Sequence, residues 1–147
     1  MEYGGLLDMK WNYKDTAPNS ELSEISCVLG AAYACSKTYW EHLLGYKGLM
    51  CYGLDEQLIS IKVWLEGGRC LLVKDWVAEH LYRKVFPNET STLEMFYNRL
   101  ILLELLFPYS IKNDFFVLYK TAHPKEFDKV YSLLKSNFKV TVIAGKA

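Results

Sequence analysis

The sequence has no excess of either charge. Its 147 residues include 17 Lys and Arg against 17 Asp and Glu, so the formal net charge is zero. A dedicated nucleic-acid binder needs a basic surface to neutralise phosphates. The balance therefore predicts that nucleic acid is not a partner of this chain.

Long apolar runs are missing as well. The longest covers residues 100–107, is interrupted by Glu104, and is too short to cross a bilayer, which takes roughly 20 residues. Residues 1–15 contain neither the basic nor the apolar region of a signal peptide. We therefore expect no transmembrane segment and a location in a bacterial cytoplasm, or at the inner face of its membrane.

Cysteines and standard catalytic motifs give further exclusions. The four cysteines form no CxxC pair, and we interpret them as thiols of a reducing compartment, with disulfides as the alternative. No Walker loop, GxGxxG, GxSxG, HExxH or Cys-His zinc pattern is present, so the chemistries that these motifs carry have no support. Aromatic residues, by contrast, make up 15% of the chain and supply flat surfaces on which a sugar ring can stack.

The first half of the chain reads as alternating strands and helices. Ser36 is predicted to cap a helix that Gly45 ends, and a second helix is predicted over residues 54–65, ended by Gly67 and Gly68. The second helix would bury a face of four residues: Leu54, Leu58, Ile61 and Leu65. Strands are predicted over residues 3–13, 25–34, 69–74 and 76–82.

The second half reads as mainly helical. Thr90 or Ser91 is predicted to cap an apolar helix that runs to Phe107 and stops at Pro108. Residues 113–119 fit either a helix or a strand. Pro124 is predicted to start a last helix with an apolar stripe formed by Phe127, Val130, Leu133 and Leu134, and residues 139–147 are predicted to be a β-branched run and tail.

The polar residues that stand out are an acid pair, a histidine and an arginine. Asp55 and Glu56 either compensate the dipole of the helix that they begin, or serve as a general base and a hydroxyl-binding group. His80 is either a packed or surface residue or a metal ligand. Arg83 is either a surface residue or an anion clamp, and Tyr52 beside the acids is a candidate for sugar stacking.

Four segments together resemble a known family. They are Gly4-Gly5 with Lys10-Trp11, GAAYACSKTYW at residues 30–40, GYKGLMCYGLDE at residues 45–56, and EHLYR at residues 79–83. In this order they resemble the C-terminal half of GT-A-fold glycosyltransferases, namely the polypeptide N-acetylgalactosaminyltransferases, the β-1,4-galactosyltransferases and the bacterial family-two enzymes. The resemblance covers residues 3–86.

The resemblance implies a role for each polar residue. His80 would be a ligand of Mn²⁺ or another divalent cation, and Arg83 would contact the diphosphate of a nucleotide-sugar donor such as a UDP-sugar. Glu56 would match the catalytic base and Asp55 its acceptor-binding neighbour. Both stereochemical outcomes occur in the resembled families, and in a retaining enzyme these carboxylates would only orient the glycan or other hydroxyl acceptor.

Tyr52 and Gly53 fall on the tryptophan and first glycine of the family's W-G-G motif, which implies substrate binding. Leu54 replaces the second glycine, so the family's sugar specificities do not transfer to this chain.

The family's D-x-D metal motif is absent from this sequence. We therefore expect residues 1–86 to form the acceptor- and metal-side half of a GT-A domain, in an α/β fold with a partial mixed sheet flanked by helices. Residues 87–147 would be a mainly helical C-terminal extension packed on it. The chain would begin midway through such a domain, and alone it would have negligible transferase activity. The alternative is a non-catalytic half-domain that acts as an interaction module and forms homo-oligomers.

Overall fold

The structure, a computed structural model, describes residues 7–8, 15–81 and 91–144, with the side chains of the last helix described to residue 137. Within these residues the chain is a mixed α/β protein that is rich in helix. Its elements are β1 (Leu22–Ile25), α1 (Lys37–His42), α2 (Asp55–Leu65), β2 (Cys70–Val73), α3 (Thr92–Leu106), α4 (Tyr109–Ala122) and α5 (Pro124–Ala144). The expectation of an α/β fold is confirmed at this level, and the GT-A assignment stays a prediction.

The elements fall into two compact units. The sheet unit comprises the described residues 7–8, 15–47 and 55–81, and the helical unit comprises residues 48–54 and 91–144. The predicted domain boundary at residues 86–87 lies outside the described residues, and so does the predicted strand over residues 3–13, apart from residues 7–8. Both stay predictions. None of the helices in the described part of the chain is long and apolar enough to cross a bilayer.

The sheet in the described residues consists of β1 and β2 alone. They pair antiparallel, with Leu22 opposite Val73 and Ile25 opposite Cys70. The strand predicted over residues 69–74 is therefore confirmed, but the sheet is antiparallel rather than mixed.

Two other strand predictions are wrong. The chain leaves the strand after Ile25, and residues 76–81 have no regular structure. Both stretches have strand-like composition, but a strand also needs a paired neighbour, and β2 pairs with only four residues.

The ends of the helices in the sheet unit follow local capping rules. The Ser36 hydroxyl accepts the Tyr39 N–H at 3.2 Å, which confirms the predicted cap of α1. α1 then closes in a Schellman motif whose left-handed residue is Leu44, with φ +59°, and the predicted Gly45 follows it with φ +45°. α2 closes in the same way with Gly67 in the left-handed position at φ +75°, as predicted.

α2 buries a face that differs from the predicted one. Leu54 and Leu58 are buried as expected, although Leu54 precedes the helix, but Leu65 is 64% exposed. The buried residues of α2 are Leu58, Ile59, Ser60 and Val63. Ile59 and Val63 form the core of the sheet unit with Leu43 and Cys70, and Ile25, Val28, Tyr33, Tyr39 and Trp40 surround it.

The helical unit packs α3 against α4 and α5, and α4 against α5. The start of α5 at Pro124 and the end of α3 before Pro108 are confirmed, and the ambiguous residues 113–119 are helical. α5 continues to Ala144, so the predicted end of helix near residue 138 is wrong. The side chains that form the core are Tyr97, Leu100, Leu102, Leu103, Phe127, Val130 and Leu134. Leu133, the fourth residue of the predicted stripe, is 41% exposed.

Candidate functional site

The acid pair begins α2, as the sequence predicts. Asp55 and Glu56 are the acidic residues of its first turn, and both are partly buried. The Glu56 carboxylate accepts a hydrogen bond from the backbone N–H of Gly30, 26 residues earlier in the chain. A side chain at position 30 would collide with that carboxylate, so the approach requires glycine. Glu56 is therefore held by a backbone group that only the tertiary fold brings to it.

The environment of Glu56 opposes its ionisation. Burial raises the pKa of this carboxyl, the hydrogen bond from Gly30 lowers it, and the charge of Asp55 raises it again. The net effect is a raised pKa. A carboxylate whose pKa is raised towards neutrality is a stronger base when it is ionised, as a proton acceptor in catalysis needs to be.

Two tyrosine hydroxyls lie against each other, and the charges of the acid pair act on one of them. The hydroxyls of Tyr33 and Tyr46 contact each other, and Tyr46 packs edge-on against Trp40 with ring centroids 4.9 Å apart. Burial raises the pKa of Tyr46, and the charges of Asp55 and Glu56 add to this effect, so the phenol lies within their field.

We call Asp55, Glu56, Tyr33 and Tyr46 the acid–phenol site. The sequence analysis named the acids but not the tyrosines. In the sequence, Tyr46 could have been singled out because it comes directly after Gly45, the glycine that follows α1.

Gly45 lets Tyr46 follow α1 so closely. Its φ is +45°, and a Cβ at this position would lie 2.8 Å from the Trp40 indole. The Nζ of Lys62 donates to the carbonyls of Leu43 and Gly45 at 2.8 and 2.9 Å, and burial lowers the pKa of this lysine. This side chain from α2 thus satisfies carbonyls at the end of α1 and ties that end to the helix that carries the acids.

Tyr52 and Gly53 belong to the helical unit, in a loop with an unusual backbone. Cys51, Gly53 and Leu54 have positive φ values of 29°, 93° and 66°, and two of these residues are not glycine. This backbone conformation is strained for a residue other than glycine, and it persists only where surrounding contacts enforce it. Tyr52 is 49% exposed at this loop.

Asn98 of α3 enforces that backbone, and the sequence analysis did not identify it. Its side chain is fully buried. Its Oδ1 accepts the N–H of Met50 at 2.7 Å, and its Nδ2 donates to the carbonyls of Met50, Gly53 and Tyr52 at 2.7, 2.9 and 3.2 Å. A single polar side chain therefore clamps the loop that carries Tyr52.

The predicted metal side of the site is described only in part. His80 is exposed and lies in the irregular stretch after β2 rather than on the predicted strand, and Arg83 lies outside the described residues. Within the described part of the chain, no group of three or more His, Cys, Asp or Glu could hold a metal ion. The described residues alone therefore do not fit a Mn²⁺ site, and the roles predicted for His80 and Arg83 stay predictions.

No protein-family model, curated protein or solved structure matches this chain.

Proposed function

We propose that this chain supplies the acceptor side of a glycosyltransferase, which transfers a sugar from a nucleotide-sugar donor, such as a UDP-sugar, to a hydroxyl of a glycan. The observation that carries the proposal is the Glu56 carboxylate. It is fixed by the Gly30 N–H, its pKa is raised, it is next in the chain to a second carboxylate, and its charge acts on the phenol of Tyr46. Carboxylates accept hydrogen bonds from sugar hydroxyls, and tyrosine rings stack on the faces of sugar rings.

In the proposed reaction, ionised Glu56 accepts the proton of the acceptor hydroxyl as that oxygen attacks the anomeric carbon of the donor sugar. The hydrogen bond from Gly30 occupies Oε1 and orients the carboxyl group. Asp55 accepts a hydrogen bond from the acceptor and holds it in place. The exposed side of Tyr46 offers a ring face and a hydroxyl to the neighbouring sugar.

The donor side requires groups beyond the described residues. In the resembled enzymes a divalent cation stabilises the leaving diphosphate, and His80 would provide one of its ligands, with Arg83 on the diphosphate. The remaining ligands would come from a nucleotide-binding part with a D-x-D motif, which this sequence does not contain. We therefore expect the isolated chain to bind a glycan acceptor and to turn over negligibly.

Glycan binding by the full chain tests this proposal. An array of glycans, followed by saturation-transfer NMR on the best ligands, should identify a carbohydrate that binds the wild type. Glu56→Gln removes the charge but keeps the shape, and we expect about tenfold weaker binding because a charge-assisted hydrogen bond is lost.

Glu126→Gln makes the same chemical change at an exposed site on α5 and should bind like the wild type. The proposal is wrong if no glycan binds, or if Glu56→Gln binds as tightly as the control.

A second candidate function is self-association, and exposed apolar side chains favour it. In the stretch after β2, Trp76, Val77 and Leu81 are 65%, 82% and 86% exposed. Among the described residues β2 pairs on one edge only. Apolar exposure next to such a strand edge is typical of a surface that pairs with another chain. We propose a second copy of this chain as the partner.

Sedimentation velocity over a concentration series tests self-association. Val77→Lys should shift the wild-type oligomer to monomer. Val117→Lys makes the same substitution at an exposed position of α4 and should not. A wild type that stays monomeric at every concentration excludes this second function.

A further inference from the structure

Two of the four cysteines share one buried hydroxyl. Ser60 of α2 is 1% exposed, and its Oγ lies 3.4 Å from the Sγ of Cys27. Ser60 also lowers the pKa of the Cys70 thiol, so this side chain acts on both cysteines. Cys70 begins β2 opposite Ile25, and Cys27 follows Ile25 by two residues. The register of the sheet and the position of Ser60 thus bring both sulfurs to the same point of the sheet unit.

We infer that Cys27 and Cys70 form a redox-modification site that closes into an intramolecular disulfide. The inference does not depend on glycosyl transfer. Cys70 is buried in the core, whereas Cys27 is partly exposed and lies in an irregular stretch, outside any helix or strand. Cys35 and Cys51 are exposed and lie outside this cluster.

The oxidant is a peroxide. The Cys27 thiolate attacks one oxygen of hydrogen peroxide, the O–O bond breaks, and after protonation of the leaving hydroxide the products are a sulfenic acid and water. The Cys70 thiolate then attacks the sulfenic sulfur, the S–S bond forms, and the second oxygen leaves as water. Two thiols are oxidised by two electrons, and one peroxide is reduced to two waters.

The surroundings of the pair set its rate of oxidation. Burial raises the pKa of both thiols, and their hydrogen bonds to Ser60 oppose this. Carboxylates raise both values further: Glu56 and Asp55 act on Cys27, and Glu24 acts on Cys70. Because the thiolate is the reacting species, the disulfide should form slowly at pH 7 and faster as the pH rises to 9 and beyond.

A variant with only this pair tests the inference. In the full chain carrying Cys35→Ser and Cys51→Ser, both changes lie at exposed positions and should leave the fold intact. After treatment with hydrogen peroxide at alkaline pH, we expect the number of thiols titrated in denaturant to fall from two to zero. Mass spectrometry should find one cross-linked peptide pair joining Cys27 to Cys70 within a monomer, and dithiothreitol should restore both thiols.

Adding Cys27→Ser to that background is the matched control, and it should leave one thiol and no cross-link. The inference is overturned if both thiols survive the oxidant, if they end as separate sulfinic acids, or if the cross-link joins two chains.

Discussion

Asn98→Ala is expected to destabilise the helical unit by about 3 kcal/mol. Four backbone groups of the 50–53 loop have this side chain as their partner in partly buried hydrogen bonds: the N–H of Met50 and the carbonyls of Met50, Tyr52 and Gly53. Nδ2 has two hydrogens, so the three carbonyls share two donors and the side chain makes three hydrogen bonds in all. The loss of each costs about 1 kcal/mol because water can enter the gap that alanine leaves, and the sum is about 3 kcal/mol.

Asn98→Asp separates hydrogen bonding from volume. The carboxylate keeps the shape of the amide but places an oxygen opposite three carbonyl oxygens, so it should destabilise more than alanine at pH 7. Burial and the carbonyls raise the pKa of this carboxyl in the folded state above its unfolded value of about 3.9. The folded state therefore binds the proton more tightly, so the stability of this variant is greatest at acid pH and falls as pH rises.

Urea unfolding followed by circular dichroism measures the loss, and amide hydrogen exchange of residues 50–54 localises it. Asn113→Asp makes the same change at an exposed position of α4 and should cost little at any pH. The role of Asn98 as a clamp is refuted if both Asn98 variants lose less than about 1 kcal/mol. It is also refuted if the loop amides exchange at the wild-type rate.

Three further predictions test individual contacts. Glu56→Gln should stabilise the protein at pH 7. Because the pKa of Glu56 is raised in the folded state, its ionisation costs stability as the pH rises through the folded value. The urea midpoints of the variant and the wild type should therefore converge below about pH 4, where the carboxyl is protonated in both states. Asp15→Asn should destabilise at pH 7, because Lys74 holds the pKa of this carboxyl at about 2; the difference should shrink as pH falls from about 4 to 2 in the same titration. Gly45→Ala should lower the thermal midpoint more than Gly67→Ala. Both sites have positive φ, but a Cβ meets an indole at 2.8 Å only at the first, and nothing within 4 Å at the second; equal shifts would contradict the steric argument.

The helix boundaries could be predicted because their rules are local. The hydroxyl of Ser36, the ring of Pro124 and the backbone of Gly67 act within a few residues of their own positions, and all three helix ends lie where the sequence placed them. The left-handed position of the cap of α1 was missed by one residue. Leu44 holds that position, and Gly45 after it also has positive φ, where its missing Cβ makes room for the Trp40 ring.

The strands and the partners of the site could not be predicted, because they depend on distant residues. Residues 26–34 have the composition of a buried strand, yet the Gly30 N–H donates to the Glu56 carboxylate rather than to a neighbouring strand. Asn98 could have been noticed in the sequence, since a polar residue inside the apolar run of α3 needs a hydrogen-bond partner when it is buried. Its partner, Met50, is 48 residues away in the chain, and the sequence pattern does not identify it.

The short stretch of residues 51–56 contains two unfavourable features with separate causes. Cys51 and Leu54 hold strained backbone conformations, and Glu56 holds a carboxyl whose ionisation is opposed. Neither feature is needed to connect two secondary-structure elements. Glycine at positions 51 and 54 would remove the backbone strain, and glutamine at position 56 would remove the cost of ionisation. Each has a cause elsewhere in the fold: the side chain of Asn98 holds the loop in the first case, and in the second burial opposes the ionisation of Glu56 more than the Gly30 hydrogen bond favours it. Folding rules tend to be violated where function requires it, and the cost carried by Glu56 supports the role proposed for it in the acceptor site.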